Sequence, residues 1–232
     1  MASYKGGKAM GEWKTLRAED GHEFGAYVAK PAGVPIAGLV VIQEIFGVNG
    51  HIQSVTGSYA KDGFLAIAPA IFDRVERGVD LGYDAEGMQA GRTIAMQMKP
   101  ENVLKDVDAA LAYARLETGR KTGIIGYCLG GSVAWQAACR LNVDAAVGYY
   151  GSQIVQQAAE MPKCSVILHF GNKDAHITPE MVDKVVAAHP EIPVYRYDAG
   201  HGFNCDVRSA YDAPSAKLAR ERSLEFLKKM LA

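Results

Sequence analysis

The stretch Gly126-Tyr127-Cys128-Leu129-Gly130 constrains this chain more than any other. Before it stands the apolar run Gly123-Ile124-Ile125, with the composition of a buried strand. After it, Ser132-Val133-Ala134-Trp135-Gln136-Ala137-Ala138 reads as a helix. A strand that passes straight into a helix through Gly-x-Cys-x-Gly needs small residues on both sides of a strained turn, and it projects one side chain above the sheet. Here that side chain is a thiol. The helix N-terminus beneath it offers unpaired N–H groups and a partial positive charge, which stabilise a thiolate and, later, an oxyanion. A quiet buried cysteine fits the same turn, so partners elsewhere in the chain decide between the two readings.

The rest of the 232 residues alternates strands with helices. Residues 13–17 and 23–29 predict an antiparallel hairpin at a sheet edge, with His22 beside Gly21 as a solvated turn residue. Residues 37–43 are rich in β-branched side chains without alternation, which suits a strand covered on both faces, and the strand runs into Glu44. A carboxylate at the end of a buried parallel strand stands where such sheets bind ligands. A helix over 51–62 and a strand over 64–68 follow. Past that strand, Arg74 is a candidate to meet an anionic substrate, with Arg77 as its competitor.

Residues 84–98 and 101–116 predict helical segments interrupted by Pro100. Val103, Leu104, Val107, Ala110 and Leu111 form an inward stripe, and Met88, Met96 and Met98 fill the core. Strands are expected over 143–150, 165–170 and 192–197. Asp174 follows the second of these, and Thr178 with Pro179 caps the next helix. His169 fits a hydrogen-bonded core position, and His189 a helix end. His201 follows the last strand between two glycines, and residues 215–231 close the chain as an amphipathic helix.

A nucleophile, an acid and a histidine thus follow three strands in the order Cys128, Asp174, His201, the chain order of α/β-hydrolases. The expected fold class is α/β, an α/β-hydrolase fold with a mostly parallel central sheet and helices on both faces. Hydrophobic residues at 49%, charged residues at 22% and a net charge of −1 leave no electrostatic footprint for nucleic acid or an anionic membrane. With no repeat or long linker, one domain over residues 1–232 is expected. The start, Met1 to Lys8, is basic but no apolar signal stretch follows, and no run is long enough to span a bilayer, so a cytoplasmic protein is expected. Four cysteines without C-x-x-C spacing suggest reduced thiols.

Over almost its whole length the chain resembles the dienelactone hydrolase (carboxymethylenebutenolidase) family. The likeness rests on Gln43-Glu44-Ile45-Phe46-Gly47-Val48-Asn49, Gly126-Tyr127-Cys128-Leu129-Gly130-Gly131, Gly148-Tyr149-Tyr150-Gly151, Asp174 and Gly200-His201. The resemblance implies a cysteine hydrolase of a small activated ester or lactone, passing through a thioester. Cys128 is then the nucleophile, His201 the base, Asp174 the residue that orients it and Glu44 the group that holds the resting thiol. The backbone N–H groups of Ile45 and Leu129 form the oxyanion hole. Arg74 falls on a carboxylate-binding arginine of the family, and Phe46, Tyr127 and Tyr149 are the other expected substrate contacts.

No metal or organic cofactor is required, and the partner expected is a small anionic substrate of a monomer or weak homo-oligomer. Where the family carries a serine and, shortly beyond, an arginine after the histidine, this chain has Gly202 and Cys205, with Arg208 further on. A ligand-binding or thiol redox-sensing protein on the same fold is the second function class. A metal hydrolase built on His176, His201 and Cys205 is a third, though the spacing matches no standard ligand pattern.

Overall fold

Unbroken apolar runs become strands buried on both faces. In β3 (Ala37–Ile42), β4 (Phe64–Pro69), β5 (Thr122–Tyr127) and β6 (Ala145–Tyr149) every residue is buried. The structure, a computed structural model, describes residues 11–232; the basic start read above lies outside them. These four strands belong to an eight-stranded sheet with β1 (Gly11–Arg17), β2 (Glu23–Ala29), β7 (Ser165–Gly171) and β8 (Val194–Tyr197), in the order β1-β2-β4-β3-β5-β6-β7-β8. β1 pairs antiparallel with β2, and β2 antiparallel with β4; from β4 to β8 every pairing is parallel. The sequence-predicted edge hairpin and parallel core are therefore both present.

The strands are joined by α1 (Gly50–Lys61), α2 (Ala85–Gln97), α3 (Pro100–Thr118), α4 (Leu129–Arg140), α5 (Ser152–Gln156) and α6 (Pro179–Ala188), and α7 (Ala213–Leu231) closes the chain. Side chains alternate across a strand, so neighbouring residues report opposite faces. Gly38 and its register partner Thr122 lie against Ala114 of α3, whereas the next residue, Gly123, lies against Leu227 and Leu231 of α7. Helices thus cover both faces. Parallel order sends the carboxyl ends of β3, β5, β7 and β8 to one rim, and the polar residues of interest leave the sheet there.

Several local expectations need correction. His22 is not solvated: its Nδ1 lies 3.1 Å from Asp106 Oδ1, and its ring stacks on Phe24. Asp106 is fully buried, and Arg74 reaches the same carboxylate, so a buried charge with several donors draws the turn inward. Pro100 does not interrupt a helix but begins α3, where its missing N–H costs nothing. Met96 is exposed and Met88 and Met98 only half-buried, so this methionine group does not fill the core. Thr178 does stand at the N-cap of α6, yet its side chain makes no capping bond to the helix. The stripe Val103, Leu104, Val107, Ala110 and Leu111 is buried as expected. So is His169, with Nδ1 2.8 Å from Tyr197 Oη and Nε2 3.0 Å from Ser223 Oγ.

Candidate active site

Cys128 occupies the turn between β5 and α4 at φ 54° and ψ −114°, a backbone conformation that side-chain-bearing residues avoid. Two backbone bonds hold it there: its N–H donates to Tyr149 O at 3.0 Å, and its C=O accepts the first α4 bond from Ser132 N at 3.2 Å. The flanking glycines are a packing requirement. A Cβ on Gly126 would fall on the carbonyl of Gly130, and one on Gly131 on the carbonyl of Tyr149. Cys128 stays partly accessible to solvent.

His201, in the loop after β8, sets Nε2 3.1 Å from Cys128 Sγ and Nδ1 2.7 Å from Asp174 Oδ2. Asp174 turns its other oxygen back on its own loop, accepting from the N–H groups of His176 at 2.8 Å and Ile177 at 3.1 Å. Both oxygens of a buried carboxylate are thus fixed. Burial opposes a charge on Asp174, but these donors outweigh it and keep its pKa below the usual value. Burial also opposes charge on His201, and there the bonds to Asp174 and Cys128 prevail, raising its pKa to about 10. The three residues read from the order of strand ends form one hydrogen-bonded row.

Glu44 is buried at the end of β3, but its partner is not the thiol. Arg208 Nη1 lies 3.1 Å from its Oε1, and Oε2 has no hydrogen-bond partner among the described residues. The guanidinium also lies over the Phe46 ring, 5.6 Å from its centroid. Gly202 has φ +79°, and a Cβ there would stand 2.6 Å from Arg208 Nη1. The position that departs from the family's serine is therefore the one that admits Arg208. The other departure, Cys205, is buried among Glu44, His51 and Tyr83. Cys205 does not form a metal-capable group with His176 and His201 among the described residues.

Of the expected substrate contacts, only Phe46 lies beside these groups. Arg74 is committed elsewhere: Nε and Nη2 bind Asp106 at 2.9 and 2.7 Å, and Nη1 and Nη2 bind Asp20 at 2.9 and 3.1 Å. Tyr127 and Tyr149 are core residues, the former with its hydroxyl 3.4 Å from that of Tyr59, the latter with its hydroxyl 2.7 Å from Ser223 Oγ. Tyr150, one position later, is the aromatic at the site, with its ring centroid 5.1 Å from that of His201. The Tyr149-Tyr150 pair was visible in the sequence. Which of the two leaves the strand face was not.

Leu129 opens α4, so its N–H is among the first-turn groups that a helix leaves unpaired. A Cβ on the next residue, Gly130, would fall within 2.6 Å of Gln43 O, which brings this helix end against the β3 exit that carries Ile45. The loop after Arg74 packs over the same exit: Leu81 N–H donates to Phe46 O at 3.0 Å, and the Tyr83 and Phe46 ring centroids are 4.3 Å apart.

Comparison with known proteins finds relatives over nearly the whole chain. The model of the dienelactone hydrolase family matches residues 24–231. A carboxymethylenebutenolidase of Pseudomonas putida is 34% identical over 223 residues, covering 92% of this chain and 94% of that one. Another, from Pseudomonas sp. strain P51, is 32% identical over 228 residues, covering 94% and 95%. Among solved structures, a Klebsiella pneumoniae protein assigned to the dienelactone hydrolases superimposes with a TM-score of 0.81 at 27% identity, covering 93% of this chain and 96% of that one. A dienelactone hydrolase-like promiscuous phosphotriesterase from metagenomic libraries, with a TM-score of 0.74 at 18% identity, shares the fold over 96% of this chain and 100% of its own.

Proposed function

Since this chain belongs to the dienelactone hydrolase family, we propose that it hydrolyses a small activated ester or lactone through a covalent thioester on Cys128. The observation that carries this reading is the 3.1 Å approach of His201 Nε2 to Cys128 Sγ on a positive-φ turn at a helix N-terminus. From there His201 can take the thiol proton, and the thiolate is the attacking species.

The thiolate adds to the ester carbonyl carbon. The oxygen that gathers negative charge is met by the N–H groups of Leu129 and Ile45. The C–O bond then breaks, and His201 gives its proton to the departing oxygen, which leaves the imidazole neutral. Water, deprotonated by His201, attacks the thioester, and Cys128 is expelled. Asp174 holds the imidazole with Nδ1–H toward itself, so that Nε2 faces the sulfur throughout.

Arg208 is the group we assign to an anionic substrate, in place of Arg74. It lies in the site, and the carboxylate it now holds is an internal one on Glu44. A substrate carboxylate competes for the same guanidinium and displaces Glu44 from it.

The decisive experiment compares wild type with Cys128→Ala and Cys128→Ser on a neutral activated aryl ester and on an anionic lactone. Turnover is expected to fall by about a thousandfold or more in the alanine variant, with an unchanged far-UV circular dichroism spectrum. Mass spectrometry of quenched wild type should find an acyl adduct on the peptide carrying Cys128. Turnover retained in Cys128→Ala would overturn the nucleophile.

A further inference from the structure

Beside the hydrolytic row, three side chains that arrive from three different elements converge. One carboxylate oxygen of Glu44, one ring nitrogen of His51 and the sulfur of Cys205 all lie within 4.8 Å of one another. Glu44 lies in the loop just after β3, His51 stands in the first turn of α1, and Cys205 belongs to the loop after β8. Their remaining polar atoms are already engaged in a consistent pattern. Glu44 Oε1 takes the Arg208 hydrogen bond, which leaves the buried Oε2 without a partner among the described residues. His51 Nδ1 lies 2.9 Å from Asp206 Oδ1, which leaves Nε2 for another ligand. Cys205 is fully buried, and the nearby Tyr83 hydroxyl is engaged by Asn49 at 3.1 Å.

We propose that Glu44, His51 and Cys205 form a divalent-metal site of zinc type, distinct from the Cys128–His201–Asp174 row. The donor set is one thiolate, one imidazole and one carboxylate, a mixture that suits zinc and its spectroscopic substitute cobalt(II) better than magnesium or calcium. The outer shell has the form that metal sites use: the ligating histidine donates its other N–H to a carboxylate, and the ligating carboxylate is itself held by a donor. Charge balances as well. The dication meets one carboxylate and one thiolate, while Arg208 and Asp206 offset each other.

Zinc bonds of about 2.0 to 2.3 Å bring tetrahedral donors to about 3.5 Å apart, so the group must contract by about 1 Å. Two of the three donors, Glu44 and Cys205, are carried by loops. Coordination forms a metal–sulfur bond, breaks the S–H bond of Cys205 and releases that proton to solvent. A cavity of about 390 Å³, lined by His51, Ser54, Asn204, Asp206, Tyr211 and Arg220, leads to the His51 side of the group. Three protein ligands leave a fourth position for water. Because Glu44 is shared with the hydrolytic site, bound metal holds it away from Cys128.

The test titrates cobalt(II) into the full chain carrying Cys128→Ala, which removes the hydrolytic thiol and makes the result independent of hydrolysis. One equivalent should produce a near-ultraviolet thiolate-to-cobalt charge-transfer band, and zinc should abolish it. Adding Cys205→Ser should remove the band, and adding His51→Ala should weaken binding at least tenfold. Asp206→Asn, a change at an exposed carboxylate, should weaken it by about 10- to 100-fold without disturbing the fold. Circular dichroism of each variant reports folding directly. Absence of a saturable band in Cys128→Ala, or a band that survives both Cys205→Ser and Asp206→Asn, would overturn the site.

Discussion

Arg208 and Glu44, 164 residues apart in sequence, meet at 3.1 Å in the interior, and the guanidinium fills the space that a side chain on Gly202 would need. Gly202→Ser, which restores the residue common in the family, must therefore displace Arg208 as well as adopt a positive φ. The expected outcome is a rise in KM for an anionic ester of tenfold or more, with the neutral aryl ester changed much less. Steady-state kinetics on the two substrates checks this. Equal losses on both would remove Arg208 from substrate recognition.

Arg208→Ala leaves the Glu44 carboxylate buried with neither oxygen bonded. Removing one partner of a buried pair costs about 3–5 kcal/mol. Urea unfolding should reveal a loss of that order. Adding Glu44→Gln should recover part of it, because the uncompensated charge is then gone.

Arg74→Ala separates the sequence expectation from the observed contacts. Its guanidinium bridges Asp20 and the fully buried Asp106. The variant should lose about 3 kcal/mol or more of stability while KM for an anionic ester stays within about twofold of wild type. A selective KM effect at intact stability would return Arg74 to the substrate.

Asp174→Asn tests the orientation of His201. The two backbone N–H groups on Oδ1 require an oxygen there, so the asparagine must turn its NH2 toward His201 Nδ1. The imidazole then carries its proton on Nε2 and cannot take one from the thiol. kcat should fall by about a thousand- to ten-thousandfold, with an unchanged far-UV circular dichroism spectrum.

His201 also links pH to stability. Its pKa in the fold is raised to about 10, the bonds to Asp174 and Cys128 outweighing burial, against about 6.5 in an unfolded chain. A raised value means that the folded state binds the proton more tightly. The resulting stabilisation is complete below about pH 6.5 and lost as pH climbs through about 10. Unfolding of wild type and His201→Gln at pH 6, 8 and 10 should give a difference that is largest at pH 6 and shrinks with each step. A constant difference would contradict the imidazolium.

Legibility in the sequence followed the range of the forces involved. The strands were legible because a strand covered on both faces admits only apolar residues, as in Val40-Val41-Ile42 and Ile124-Ile125. The order Cys128, Asp174, His201 was legible because a parallel sheet sends successive strand ends to one rim. His22 was misread because the residue that draws it inward, Asp106, is 84 positions away.

By itself the sequence determined the alternation of elements, the strained turn at Cys128 and the two residues, His201 and Asp174, that line up beside it. These depend on local periodicity and on small residues at fixed spacing, which any chain segment carries in its own letters. The tertiary structure alone decided that Arg208 rather than Arg74 faces Glu44, that Tyr150 rather than Tyr149 borders His201, and that His51 meets Cys205. Those choices turn on how a loop after the last strand folds back onto residues far earlier in the chain, where burial forces charges to find partners that adjacency in sequence does not supply.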